Sequence, residues 1–495
     1  MFSSVSLAIG YLADPLVLLY LALGVGIGLL FGIMPGLGGA TAIALLLPLT
    51  FGMQPEQAIT LMGGILGSSA IGGSVTAILL NTPGTAPNAA TCFDGYPLTR
   101  QGKAGLAIGA AATASSVGGI IGVFILIAVL PIAKSIVLIF GPPAFFMLAV
   151  LGLTSLTVAS GNMLRGLIAA AAGLFIAFVG FDDMGGAQRY TGGIDYLWDG
   201  ISLVPALIGL FAIAEMLKLM MEGGSIAKVD RKSLVKVEGT LEGVKSVFRN
   251  MKTVISGSAI GTVIGMIPGV GGTVASFLSY SFASQINRKD NKFGEGDIRG
   301  VIAPEAANNA KDGGSLIPTL AFGIPGSAEM ALFLGVLVLH GMNPGPLLLL
   351  EREWSIFVLI FALLAATILS SLVIIMAARH LVNITFIDSA IIIPSVLTIS
   401  LVGAYALNTQ MGDVVMAAIF GVVGYLMIRL DFPRITLVIA MVLGAMMERN
   451  FLQSMLMFRR DWTGFFTNTT SLVLFILVVL ALLIPIFSAL RRRFT

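Results

Sequence analysis

The sequence predicts an all-α polytopic membrane protein of about ten to twelve transmembrane segments, arranged as two inverted-topology repeats with broken or re-entrant helical hairpins. Three observations carry this reading. The 495 residues are 57% hydrophobic and 11% charged, with a mean hydropathy of +0.99, against about 25% charged in soluble domains. The apolar runs are long and continuous, matching the roughly 20 residues that cross a bilayer as a helix and not the alternation of a barrel strand. A glycine- and proline-rich pair of motifs occurs twice, in the same order. This composition excludes a disordered chain, a nucleic-acid binder and nearly every soluble enzyme.

The chain starts MFSSVSLAIGYLADPLVLLY, with no Lys or Arg ahead of its apolar run. A cleaved signal peptide wants a basic start, so residues 15–34 read as a retained first helix. The first motif of the pair follows at once. Residues 24–39, GVGIGLLFGIMPGLGG, and residues 257–272, GSAIGTVIGMIPGVGG, share eight of sixteen positions at an offset of 233. The second motif runs GGSVTAILLNTPGTA at 72–86 and GGSLIPTLAFGIPGSA at 313–328, aligned with one inserted residue. The chain therefore reads as a duplication.

Charge placement orients the halves. Lys228, Arg231, Lys232, Lys236, Lys245, Arg249 and Lys252 precede the second PGxGG unit, and Arg288, Lys289, Lys292 and Arg299 follow it. The first unit is flanked only by Asp14 and Glu56. Under the positive-inside rule the second unit enters from the cytoplasm and the first from the other side. Arg100 and Lys103 after the first NTPGTA, and Glu351-Arg352-Glu353 after GIPGSA, reverse the pattern, as an inverted repeat requires. Arg491, Arg492 and Arg493 place the C-terminus in the cytoplasm. The halves are about 1–220 and 253–495, joined by a basic cytoplasmic connector at 221–252. Its segment SLVKVEGTLEGVKSVFRN could form an amphipathic helix on the membrane surface. Beyond about 355 the chain is ordinary apolar spans.

Glycines at 24, 28, 32 and 36, and at 257, 261, 265 and 269, share a helix face and permit close helix approach; packing alone explains them. The Pro-Gly-x-Gly-Gly units at Pro35, Gly36, Gly38, Gly39 and at Pro268, Gly269, Gly271, Gly272 break a helix. Such breaks persist at membrane depth where they line a cavity, although a simple kink also fits. Asn81, Thr82, Pro83, Gly84, Thr85 and Ala86, with Gly323, Pro325, Gly326, Ser327 and Ala328, supply the polar tips. A helix restarting after Pro-Gly would point free N–H groups at an anion, with Thr85 and Ser327 placed as N-caps. These eleven are the predicted substrate-binding residues; loop capping without a ligand is the alternative. Such tips hold a carboxylate without a buried Arg.

Residues 304–315, PEAANNAKDGGS, form a dense polar cluster in an apolar setting. Ionisable groups there need partners or a role. Lys311 and Asp312 can neutralise one another. Glu305, Asn308, Asn309, Ser74 and Ser315 join the PGxGG residues as ion-binding or gate candidates. No cofactor is expected, and no metal beyond sodium at these positions. The single Cys92 allows no internal disulfide. His340 and His380 are too far apart in sequence to suggest a zinc site. Gly95–Lys103 mimics a phosphate loop but has six residues between its glycines and Ala after the lysine, so no ATP site is read.

GIMPGLGGATAIALLLPLTFGM, GGSVTAILLNTPGTAPNAATCFDGYPLTRQGKAG, GMIPGVGGTVASF, APEAANNAKDGGSLIPTLAFGIPGSAEMALFLG and HGMNPGP, in this order, resemble the large membrane subunit of the tripartite tricarboxylate transporters, the TctA family. The resemblance implies uptake of carboxylates such as citrate across the bacterial inner membrane. It implies two partners, a small membrane subunit and a periplasmic solute-binding protein. It also implies drive by a cation gradient, sodium or else protons. Alternating access, as an elevator, is the expected mechanism. A channel with re-entrant loops is the competing reading, and a membrane-embedded enzyme or a structural scaffold stands behind it.

Overall fold

In the computed structural model the chain is described over residues 2–182, 186–222, 237–287, 292–381 and 389–494. Lys228, Arg231, Lys232, Lys236, Arg288 and Lys289 of the basic segments lie outside the described residues. The architecture is helical almost throughout; one short antiparallel pairing joins Gly180–Phe181 to Gln188–Arg189. Among the described residues nine helices are long and apolar enough to cross a membrane, from Pro15–Ile33 to Arg434–Met457. Four shorter apolar helices accompany them, Ser3–Leu12, Met163–Ala177, Ala328–Leu339 and Thr469–Leu483. This is a multi-pass helical membrane protein.

Local chemistry sets the boundaries of the first repeat. Asp14 accepts the Leu16 N–H at 2.8 Å and Pro15 occupies the first helical position, a favoured helix start. The helix ends at Ile33, because Met34 precedes Pro35 and is driven to an extended conformation. A short helix Phe2–Leu12, not read from the sequence, precedes it and docks Tyr11 on Trp354 at 5.1 Å between ring centroids. Pro55–Leu80 runs buried along nearly its whole length and ends in a left-handed Asn81.

The second repeat reproduces these elements. Helix Met251–Gly265 stands where Pro15–Ile33 stood, and Ile298–Phe322 where Pro55–Leu80 stood. Ile298–Phe322 is equally buried, yet it carries Glu305, Lys311 and Asp312 in its interior. A Cβ on Gly24, Gly28 or Gly32 would strike Leu61, Ile65 or Ser69; one on Gly257, Gly261 or Gly265 would strike Ala303, Ala307 or Lys311. Each struck residue of the second half lies 242 positions after its counterpart. Gly72 meets Leu29, and Gly314 meets Thr262, so the same offset of 242 holds there. The one-residue insertion inferred from aligning Gly-Gly-Ser with Gly-Gly-Ser is therefore not present on this face. In a glycine-rich helix a Gly-Gly pair can be matched one residue out of step, and only the packing face fixes the register.

The described end of the connector forms a helix, Thr240–Arg249. Gly243 packs on the backbone of Leu106 and Gly109, while Leu241 and Phe248 remain exposed. The halves are further locked by buried Asp94. Its Oδ1 accepts the backbone N–H groups of Gly294, Gly296 and Asp297 at 2.8–2.9 Å, and its Oδ2 accepts the Tyr280 hydroxyl at 2.8 Å.

The glycine seam makes a sharp prediction. A Cβ at Gly28 would sit 2.1 Å from Ser68 Oγ and one at Gly261 2.3 Å from the Ala307 carbonyl, whereas Gly26 has nothing within 4 Å. Gly28→Ala and Gly261→Ala should each destabilise by ~1–3 kcal/mol through overpacking, and Gly26→Ala should be neutral or slightly stabilising. Thermal unfolding of the purified variants in detergent reads the difference.

Candidate functional site

The breaks in the helices come in two matched sets. Gly36 and Gly38 have φ of 85° and 63°; Gly269 and Gly271 have 78° and 72°. These left-handed values exclude most side chains and turn the chain sharply. New helices then start at Gly38–Leu46 and Gly271–Ile286. The second breaks follow Asn81 and Gly323, both left-handed. The two kinds of break are stapled together within each half. The Gly36 N–H donates to the Gly84 carbonyl and the Gly269 N–H to the Gly326 carbonyl, both at 3.2 Å.

The tips then diverge. Ser327 caps the helix Ala328–Leu339, its Oγ accepting the Met330 N–H at 3.3 Å. Thr85 makes no such cap. Its hydroxyl donates to Asn88 Oδ1, and a 3₁₀ turn at Ala86–Asn88 precedes the helix Ala89–Arg100. The expected N-cap role therefore holds at Ser327 and not at Thr85. Pro87 fixes φ in the turn and removes a donor, and the helix proper begins after it.

Both sets of breaks open onto one cavity of about 520 Å³. Gly36, Gly38 and Gly39 line it together with Gly269, Gly271 and Gly272; Gly84, Thr85 and Ala86 line it together with Ser327 and Ala328. Equivalent positions of the two halves thus face a single space. These residues are predicted from the sequence; three charged neighbours, Glu329, Glu215 and Arg434, are not, and Lys311 reads there only as the partner of Asp312. Lys311 lines the cavity, as do Glu329, Glu215 and Arg434. Arg434 Nη2 donates to Glu215 Oε1 at 2.7 Å and Nη1 to the Leu210 carbonyl at 2.8 Å. Leu210 lies in a π-helical segment, Ile208–Ile213, a local widening that recurs at functional sites. Glu215 inside the apolar run ALIGLFAIAEMLKLM was a readable signal. Its pairing with a residue 219 positions away was not. Tips that could hold a carboxylate without a buried Arg stand beside two basic groups here: Lys311 is 5% exposed and the Arg434 side chain 19%.

Other predicted residues stand apart from this wall. Asn81 is exposed, and the Thr82 hydroxyl donates to the Leu80 carbonyl at 3.2 Å within its own turn. Pro83, Pro325 and Gly326 belong to the turns behind the tips; a Cβ on Gly326 would lie 2.7 Å from Ser315 Cβ. Gly323 borders a second cavity of about 500 Å³, with Asn343, Arg449 and Gln453. Pro268 borders an apolar groove with Phe322 and Leu480. Pro35 ends its helix and does not line the cavity.

Glu305 is fully buried and accepts four hydrogen bonds. Ser74 Oγ donates to Oε2 at 2.6 Å and Ser115 Oγ to Oε2 at 2.7 Å; Asn88 Nδ2 donates to Oε1 at 3.2 Å and the Thr91 hydroxyl to Oε1 at 2.5 Å. All four donors come from the first half. Asn308 and Asn309 are buried beside it in sequence, and both side-chain polar atoms of Asn308 and Oδ1 of Asn309 lack a partner. Among the described residues no cluster of three or more His, Cys, Asp or Glu side chains could hold a metal ion.

Four donors match the four acceptor positions of a carboxylate, and an amide cannot offer them. Glu305→Gln should cost about 1–3 kcal/mol, because one side of the amide points N–H groups at hydroxyl donors. Ser115→Ala, which removes one donor of four, should cost less. Thermal unfolding in detergent ranks the two; equal midpoints would contradict this account of the network.

Comparison with known proteins agrees with the geometry. A family model described as the tripartite tricarboxylate transporter TctA family matches residues 18–439. An Agrobacterium vitis protein described as an uncharacterized 52.8 kDa protein in the TAR-I ttuC' 3'region is 32% identical over 497 residues, covering 99% of this chain and 97% of the relative. A second A. vitis protein, from the TAR-II ttuC' 3'region, is 30% identical over 237 residues, 47% of this chain and 96% of the relative. No solved structure matches the chain. Breaks paired between two halves around one cavity are a recurrent feature of transporter cores, and the chain belongs to the tripartite tricarboxylate transporter TctA family.

Proposed function

We propose that the protein is the translocating subunit of a carboxylate uptake system in the bacterial inner membrane, driven by a cation gradient. Membership of the TctA family supports the large subunit of a tripartite transporter, which implies a small membrane subunit and a periplasmic binding protein as partners. The carboxylate, citrate or a related anion, binds in the cavity between Gly84–Ala86 and Ser327–Ala328. One observation carries this placement. Equivalent tips of both halves and two basic side chains, Lys311 and Arg434, converge on the same space.

The chemistry suits an anion. The N-terminus of helix Ala328–Leu339 opens beside Ser327, where the helix dipole favours negative charge. Lys311 and Arg434 already hold carboxylates, Asp312 and Glu215. An incoming carboxylate shares Lys311 and Arg434 with these partners, so neither ion pair is broken and no buried charge is left alone. The two halves have inverted topology, and the C-terminus faces the cytoplasm. One group of helices moves against the other to alternate access, as an elevator.

Uptake into proteoliposomes tests the reading. They contain this chain and its small subunit, with the binding protein outside, and are offered a radiolabelled carboxylate panel led by citrate. Accumulation that requires an inward sodium gradient is expected. Accumulation that survives without sodium but collapses with a proton ionophore changes the ion. Equilibration without accumulation means a channel and overturns the carrier. Ser327→Ala and Thr85→Ala should each reduce uptake about tenfold at unchanged membrane levels, the worth of one hydrogen bond to a charged ligand. Arg434→Ala should reduce it further. Normal uptake and affinity in all three would remove the anion from this cavity.

A further inference from the structure

Adjoining the large cavity is a void of about 10 Å³, lined by Leu66, Ser69, Ala70, Thr85, Pro87, Asn308, Lys311, Asp312 and Glu329. Its size is that of one water-sized occupant. At the 242-residue offset, Leu66 corresponds to Asn308, Ser69 to Lys311, Ala70 to Asp312 and Pro87 to Glu329. The void thus sits where the same positions of the two halves meet.

Two independent features specify the occupant. The first is an unmet demand. Asn308 is 1% exposed, and neither its Oδ1 nor its Nδ2 has a partner. A buried amide left without partners is costly, and an occupant of the void that it can coordinate removes that cost. The second is charge. Lys311 contributes +1, Asp312 −1 and Glu329 −1, so the lining carries a formal −1. Lys311 is spent on Asp312, its Nζ donating to Oδ1. A single monovalent cation balances the remainder, whereas an anion would be repelled and a divalent ion overcompensates. The oxygens around the void, from a hydroxyl, an amide and carboxylates, are those a hard cation takes.

We propose that this void is a monovalent-cation site, with Asn308 Oδ1 and Ser69 Oγ as neutral ligands and Asp312 and Glu329 as its charge. The proposal deepens the cation-driven reading given above and rests on it for its role in transport. Thr85, Pro87, Lys311 and Glu329 line both the void and the large cavity. An ion here would fix side chains that the substrate also meets in the adjoining cavity, and each ligand would favour the other's binding. Five of the lining residues come from the first half and four from the second, so the ion would also hold the halves together.

The test uses the full-length chain in detergent, without carboxylate or partner proteins. Thermal unfolding is followed while sodium, potassium or lithium chloride replaces choline chloride at constant ionic strength. A saturable rise in the midpoint with at least one of the three is expected. Asn308→Ala and Ser69→Ala should each raise the half-saturating concentration about tenfold or more, while exposed Ser395→Ala leaves it unchanged. Equilibrium dialysis with radioactive sodium on the unmodified chain should give one ion per chain if sodium is the ion selected. Equal midpoints in all four salts would mean that the void holds only water, and would overturn the proposal. So would an unchanged half-saturating concentration in both variants. Cation binding without cation-driven uptake would sink the coupling and leave the site; sodium-driven uptake unaltered in folded Asn308→Ala would sink the site and leave the coupling.

Discussion

A helix interrupted inside a membrane leaves backbone donors and acceptors that water cannot reach, and the rest of this structure depends on how they are satisfied. Here each interruption answers another. The turn after Pro35 donates to the turn at Gly84, and the turn after Pro268 donates to the turn at Gly326. The glycine seams make these staples possible. Gly32 lies against the Ser69 carbonyl and Gly265 against the Lys311 carbonyl, closer than any Cβ could stand. With the backbones this near, the tips reach one another and enclose a cavity in place of a lipid-facing gap.

A duplicated scaffold carries an unequal set of side chains. At matched positions the first half has Gly63, Leu66, Ser69 and Ala70 where the second has Glu305, Asn308, Lys311 and Asp312. The first half answers with neutral polar groups. Ser74, Asn88, Thr91 and Ser115 all donate to the buried carboxylate of Glu305. Neutral hydroxyls and amides can neutralise such demand without adding a second buried charge, whose desolvation is expensive.

The same network reaches the cavity. Asn88 donates to Glu305 and accepts from Thr85, which lines the cavity wall. The conformation of the first tip is thereby tied to a helix of the second half. On another part of the molecule, Asp94 gathers three backbone N–H groups from the segment before Ile298–Phe322. These two carboxylates, one from each half, hold the N-terminal part of the second long helix against the first half.

The sequence by itself determined the class and the broken segments. Hydropathy forces helices in lipid, and proline beside several glycines forces breaks whatever surrounds them. It also located Gly36, Gly84, Thr85, Gly269 and Ser327, because a duplicated motif stands out against a plain apolar background. It misjudged the register of the second motif by one residue, since the composition of a glycine-rich helix repeats too closely to be aligned without its packing face. The tertiary structure alone decided that Arg434 and Glu215 meet at the cavity, that Lys311 borders it, and that Asn308 is left unpartnered over a void. The Arg434–Glu215 pair alone spans 219 positions along the chain, and no local pattern encodes such a distance; only the packing of the two halves brings these groups together.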